Sequence, residues 1–373
     1  MRLRSNRCWP WLLAAAVILR AGYGWPQQAT AAPPAQQPSL TVDRDPVRSP
    51  DPESPPPPAG TSEPQGLGPI HKGAGGKYTL REDAFEVRLN ATVLDTSGRS
   101  ILDLTRDNFR VYEDGVPQTI ASFRREDLPV SIGIVIDSSA SMFDKQAAVV
   151  QAALDLVKLS NHEDEAFVVD FSDEPYIDQD FTSDVKKLRE GLQYIQPKGE
   201  TAMYDALVAS ADYLTKNAKH PKQVLLIVTD GDDDASSESL EQAIRRIQDL
   251  DGPVIYSIGL LFGQDMEKRA ARHSRRVLEA LAEQTGGEAY FPHSTSEIDA
   301  TTAEVAKDIR TQYTISYHST KSPTLGGYRL VHVDAKAKNY GKLTVRTRSG
   351  YYPRIKGMEA SGAAEASGQV SQR

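Results

Sequence analysis

Apolar and polar positions follow two different rhythms along this chain, and the places where the rhythm changes divide it. Phe85, Val87, Leu89, Ala91 and Val93 alternate with Glu86, Arg88, Asn90 and Thr92. A period of two marks a strand with one face buried. Ser97-Gly98 reads as a turn, and 105–109 as a short helical turn. Asp114-Gly115 separates two apolar-rich stretches, 110–113 and 116–123, which predicts a hairpin. Pro117 places its strand at a sheet edge, because proline has no N–H to give to a neighbour. An all-β unit this small is marginal by itself.

The alternation stops at Val130. Residues 132–136 form an unbroken apolar run, the pattern of a strand covered on both faces. Similar strands are predicted at 166–171, 224–228 and 254–258, with shorter ones at 176–180, an edge, and 289–291. Helices are predicted at 142–159, 183–192, 203–216, 237–250, 275–285 and 296–310. Strands alternating with helices predict a doubly wound, Rossmann-like α/β domain with a mainly parallel sheet. After Arg310 the two-residue period returns in Tyr313, Ile315 and Tyr317, and again in Leu343, Val345 and Thr347. Gly326-Gly327 and Asn339-Tyr340-Gly341 read as turns between these strands. The economical arrangement pairs the N-terminal arm, 77–128, with the C-terminal arm, 311–354. Together they form one small β domain, with the α/β domain, 129–310, inserted between them.

Charge and composition narrow the functional classes. Lys plus Arg is 43 and Asp plus Glu is 51, giving a net charge of -8. Such a balance gives no electrostatic footprint for nucleic acid or anionic lipid. Basic clusters at Arg245-Arg246 and 268–276 read as solvated helix faces. Cys8 is the only cysteine, which excludes an intramolecular disulfide framework and a cysteine zinc site. Residues 1–31 have the layout of a signal peptide: Arg2, Arg4 and Arg7, a short apolar run, then Ala29-Thr30-Ala31. An uncleaved N-terminal anchor is the alternative. No other stretch is apolar for long enough to span a bilayer, so the mature chain is expected to lack a transmembrane helix. Residues 26–76 hold 13 of the 23 prolines, and 32–76 are expected to form a disordered linker. The tail, 355–373, is also expected to be disordered.

In a doubly wound sheet, ligands bind at the carboxyl ends of the strands. Three loops there carry the candidate chemistry: Asp137-Ser138-Ser139-Ala140-Ser141, the 198–205 loop with Thr201, and Thr229-Asp230-Gly231 followed by Asp232, Asp233 and Asp234. Asp137, Ser139, Ser141, Thr201 and Asp230 offer oxygen alone, which suits Mg2+, or Mn2+ or Ca2+. With two carboxylates among five ligands, the metal would stay electron-poor and accept a further acidic ligand. Read singly, Ser139 or Ser141 could instead cap the following helix. The Asp232–Asp234 run reads as a solvated acidic loop rather than a second cation site.

Asp137-x-Ser139-x-Ser141 with Thr201 and Asp230 resembles the metal-ion-dependent adhesion site of von Willebrand factor type A domains, over about residues 129–310. The resemblance implies that these five residues hold the metal. Ala140 departs from the glycine common in that motif. The flanks, Asp103-Leu104-Thr105, Asn108-Phe109, 111–115, Pro117-Gln118 and Gly350-Tyr351-Tyr352, resemble the VWFA-related domain family of exported bacterial proteins. The expected function is an exported, cation-dependent binding module, in the periplasm, in the envelope or secreted, that captures an exposed Asp or Glu of a protein partner. It is not expected to be an enzyme. Two alternatives stay open: a metal-dependent phosphatase or hydrolase with Asp137 as nucleophile, and a structural envelope protein whose site is vestigial. Against the phosphatase, Ser139 stands where that chemistry commonly has a second Asp, and no G-x-S-x-G elbow or P-loop occurs.

Overall fold

The computed structural model describes residues 86–353, apart from 126, 160, 194, 232, 251 and 264–267, together with the backbone of 70–72 and 78–80. The expected signal peptide and tail, and all of the expected linker except 70–72, lie outside the described residues. One short antiparallel pair, β1 (Ile70–Lys72) with β2 (Tyr78–Leu80), sits where the linker was expected to end.

Two four-stranded antiparallel sheets are built from both ends of the chain. The N-terminal arm supplies β3 (Glu86–Leu94), β4 (Phe109–Glu113), β5 (Val116–Gln118) and β6 (Ile120–Arg124). The C-terminal arm supplies β13 (Tyr313–His318), β14 (Arg329–Ala335), β15 (Thr344–Arg346) and β16 (Gly350–Tyr351). The sheet orders are β15-β3-β13-β6 and β16-β14-β4-β5. Each arm therefore interleaves with the other: Leu89 faces Ile315 in register, and Val111 faces Val333. Val87, Leu89, Ala91 and Val93 share one core with Tyr313, Ile315, Tyr317, Val331 and Val333.

Inside this β unit lies a buried polar knot. Glu113 is fully buried and accepts hydrogen bonds from Tyr317, at 2.8 Å, and Tyr351, at 2.7 Å, on Oε2. Its Oε1 accepts from Ser319, at 2.7 Å, and from Arg329, at 3.3 Å. Arg329 is itself 2% exposed. A buried pair whose remaining donors and acceptors are also satisfied holds its geometry, and here it pins the two arms together.

The hairpin around Asp114-Gly115 pairs only as far as Gln118, where β5 is an edge strand containing Pro117. The expected second strand, 116–123, instead divides. After Thr119 the chain passes to the other sheet, and β6 pairs with β13. Strands that change sheets in this way form the corners of a sandwich.

Between the arms runs a six-stranded sheet of order β12-β11-β10-β7-β8-β9. Its strands are β7 (Val130–Asp137), β8 (Glu165–Phe171), β9 (Pro175–Thr182), β10 (Lys222–Thr229), β11 (Val254–Gly259) and β12 (Ala289–Tyr290). All pairs are parallel except β8 with the edge strand β9. The helices are α1 (Gln146–Leu159), α2 (Val185–Leu192), α3 (Met203–Asn217), α4 (Leu240–Asp249), α5 (Lys268–Thr285) and α6 (Ile298–Arg310). Ile132, Ile134 and Ile136 of β7 pack with residues of α1, α2 and α6 on one face of the sheet. Val135 packs with residues of α3, α4 and α5 on the other. The unbroken apolar run of β7 is thus a strand covered on both sides. Among the described residues, no helix is long and apolar enough to cross a membrane.

Candidate metal centre

The strand order fixes where a site can form. β7 and β10 are neighbours, but the chain leaves β7 through α1 toward β8 and reaches β10 from α3 on the opposite face. Their carboxyl ends flank a topological switch point, where the connecting segments part and leave a crevice. Asp137 is the last residue of β7 and Thr229 the last of β10, so Asp230 begins the facing loop.

Asp137 is 1% exposed, and both carboxylate oxygens are engaged. Oδ1 accepts from the Ser139 N–H at 2.8 Å, and Oδ2 accepts from the Thr229 hydroxyl at 2.6 Å. Burial pushes its pKa up to about 6 against the lowering effect of those hydrogen bonds, and the charge of Asp230 adds to the rise. The Ser139 and Ser141 hydroxyls are 3.0 Å apart. Ser141 donates to Asp230 Oδ1 at 2.7 Å. Ser139 begins the short 3-10 turn Ala140–Met142, yet its side chain makes no capping bond. α1 starts only at Gln146, so the helix predicted from 142 is shorter and the two serines are turned toward the crevice.

The Thr201 loop is stitched to the first loop through backbone. Lys198 N–H donates to Ser138 O at 2.7 Å, and Ala140 N–H to Gly199 O at 3.3 Å. Gly199 has φ +73, and a Cβ there would lie 2.4 Å from Asp173 Oδ2. Only glycine meets both demands without strain. The Thr201 N–H donates to Asp234 Oδ1 at 2.7 Å, and Thr201 Oγ1 lies 3.9 Å from where a Cβ on Gly231 would stand. Thr201 is therefore set against the Thr229-Asp230-Gly231 loop, and the three loops that carry the five expected ligand residues are joined to one another.

The acidic run after Asp230 is open to solvent, and its carboxylates also hold neighbouring backbone. Asp233 Oδ2 accepts from the Tyr204 N–H at 2.9 Å and from Ser236 Oγ at 2.5 Å. Asp233 and Asp234 thus satisfy amides at the start of α3 and the residues before it, where negative charge is favoured. They do this while open to solvent: Asp233 is half-buried and Asp234 exposed. Asp232 lies outside the described residues.

Lys145 was not singled out by its sequence position, although it lies four residues after Ser141. Its Nζ is 2.5 Å from Asp230 Oδ2 and 5.5 Å from the centroid of the Phe262 ring. Thr229 was read as part of the Thr-Asp-Gly loop, without its role of orienting Asp137. Ser138 ties the first loop to β8 by donating to Asp170 Oδ2 at 2.6 Å.

Does this crevice suit a hard cation? Its facing groups are hydroxyl and carboxylate oxygens, as hard cations require. Each Asp137 oxygen accepts one protein hydrogen bond and keeps a lone pair. Among the described residues, no group of three or more His, Cys, Asp or Glu is arranged to hold a metal. A cation here therefore depends on the serine and threonine hydroxyls as much as on carboxylates. The residues fit an oxygen-ligated cation, with the Lys145 ammonium as a competing positive charge.

Residues 132–232, which contain all five of these positions, match the family model described as von Willebrand factor type A domain. No curated protein matches the chain. Among solved structures, a von Willebrand factor type A protein from Catenulispora acidiphila is 13% identical, with a TM-score of 0.43 over 73% of this chain and 74% of that one. The PilB minor pilin from Streptococcus sanguinis is 14% identical, with a TM-score of 0.39 over 50% of this chain; the match spans 63% of the pilin's length. The vWF domain of a type V pili tip protein from Porphyromonas gingivalis is 14% identical, with a TM-score of 0.39 over 49% of this chain and 95% of that one.

Proposed function

We propose that the von Willebrand factor type A domain of this chain is an exported protein-binding module that captures an acidic residue of a partner through one divalent cation, Mg2+ or else Mn2+ or Ca2+. Domains of this type are generally interaction modules rather than enzymes. Asp137, Ser139, Ser141, Thr201 and Asp230 would hold the ion. When bound, it would supply a Lewis-acidic position for a carboxylate from another molecule. The chain's own part is positional: Thr229 and the Ser139 N–H orient Asp137, and the Lys198–Ala202 backbone keeps Thr201 against the other two loops. The observation that carries the reading is the Ser141–Asp230 hydrogen bond, which brings a ligand from each side of the switch point together. A pull-down from envelope extract, with and without chelator, tests it. Partner retention should require free divalent cation and should be lost in Asp137→Ala. Retention that survives both chelator and substitution contradicts it.

A second reading has its own support in Lys145. An ammonium 2.5 Å from Asp230 already neutralises one of the two carboxylates. On that reading the loops are a metal-independent structural platform. Thermal melts separate the two: a metal-binding domain is stabilised by cation through mass action, and a platform is not.

A further inference from the structure

The exposed face of the N-terminal half of α5 has no counterpart in the metal-centred reading. Lys268, Arg269, Arg272, His273, Arg275 and Arg276 are all exposed there. On a helical projection Lys268, Arg269, Arg272 and Arg276 fall within an arc of about 100°. Val277, Leu278 and Leu281, on the opposite side, are buried against the sheet. Arg275 is already engaged, with its guanidinium 3.8 Å from the Phe291 ring centroid and 3.6 Å from Glu279. Among the described residues, Lys268, Arg269, Arg272 and Arg276 have no ion-pair partner.

This arrangement works against the helix that carries it. Cations in the first turns oppose the helix dipole, and α5 has no acidic residue in its first turn and no basic residue in its last. Lys268, Arg272 and Arg276 follow one another at i, i+4 spacing, where like charges repel. Within the stripe Arg276 Nε donates to the Arg272 carbonyl at 3.2 Å, which pairs no charge; local rules broken together in this way, among the described residues, mark a surface kept for binding.

We infer that this face docks an acidic protein segment, a short run of Asp or Glu side chains, without need of a metal. The stripe spans about 12 Å, the length of two helical turns. Three of its four cations are arginines, whose planar forks pair bidentately with carboxylates. The same outward face carries exposed Glu279 and Glu283 further along the helix. A flat anionic membrane would press on those carboxylates as well, whereas a short acidic segment meets the cations alone.

The test uses the full chain in EDTA, with a fluorescein-labelled peptide of ten glutamates as probe and anisotropy as readout. Wild type should bind, and binding should weaken steeply as salt rises. The triple variant Arg269→Gln, Arg272→Gln, Arg276→Gln should lose affinity by about tenfold or more. It should melt no lower than wild type, because like-charge repulsion is removed. Asp137→Ala should bind the peptide as wild type does. Equal binding by wild type and the triple variant overturns the inference, as does loss of binding in Asp137→Ala. Stripe-dependent binding to phosphatidylglycerol vesicles, without binding to the peptide, also overturns it and identifies a membrane surface as the occupant.

Discussion

Ser141 and Asp230 are joined by a 2.7 Å hydrogen bond, although 89 positions separate them in the chain. The first lies just beyond β7 and the second just beyond β10, so the bond closes the crevice at the point where the sheet's connections diverge. A cation seated there would meet a hydroxyl and a carboxylate already held together. Lys145 holds the other oxygen of the same carboxylate, which sets up a competition between two positive charges for Asp230.

Replacing Lys145 with Met tests that competition. The substitution keeps an apolar stem beside Phe262 and removes the ammonium. Magnesium affinity should rise roughly fivefold, the equivalent of about 1 kcal/mol for a partly exposed ion pair. Stability in chelator should fall modestly, because Asp230 loses a partner. Magnesium titrations and urea melts check both, and unchanged affinity would remove Lys145 from the account of the site.

Asp137 gives the metal-free protein a pH signature. Its pKa in the fold is about 6, above the ordinary 3.8. The fold therefore favours the protonated form, so this group's stabilising contribution is complete below pH 3.8 and is lost as pH rises through about 6. Asp137→Asn has no such loss. In chelator, its stability relative to wild type should grow from pH 5 to pH 7.5, by about 1.4 kcal/mol. Denaturant curves at the two pH values measure this, and a difference that stays constant across them would contradict it.

Much of the fold was legible because its sheets differ in exposure. The β arms show one face to the core and alternate, whereas β7, β8 and β10 are covered on both faces and read as apolar runs. The pairing of the arms followed from their size. What escaped the pattern was long-range or purely polar. The first seven residues of α5 carry no apolar periodicity, so a helix predicted from 275 in fact begins at Lys268. The passage of β6 into the other sheet is decided by Phe123 and Ile120 packing against Tyr313 and its neighbours, far along the chain. At the site, the motif serines were visible from spacing. Lys145 was not, because an ion pair across 85 positions leaves no local trace. The amide contacts of Asp233 and Asp234 were not visible either, because their partners lie on another loop.

Gly199 is expected to tolerate no side chain. In Gly199→Ala the methyl would clash with the Asp173 carboxylate and sit on a backbone with φ +73. The strain alone costs on the order of 1 kcal/mol, and relieving the clash must shift the loop that carries Thr201. Magnesium affinity should fall while the core stays intact. An unchanged affinity would show that Thr201 is not a ligand.

Glu113 is expected to be the most sensitive polar position of the β unit. Glu113→Ala strands the buried Arg329 charge and removes the acceptor of Tyr317 and Tyr351. Breaking a buried pair in this way costs about 3–5 kcal/mol. Glu113→Gln, which keeps an acceptor, should cost less. Urea unfolding of both variants checks the order, and a loss below about 1 kcal/mol in Glu113→Ala would mean the arms are held by apolar packing alone.

The most direct measurement is calorimetric titration of magnesium into the full chain and into Asp137→Ala, at pH 7.5 and in parallel with manganese. The expected result is saturable binding to a single site in wild type and none in the variant, with both proteins folded by circular dichroism. Equal binding by the two proteins, or no binding of either metal by wild type, would contradict the assignment of this crevice as a metal-dependent capture site.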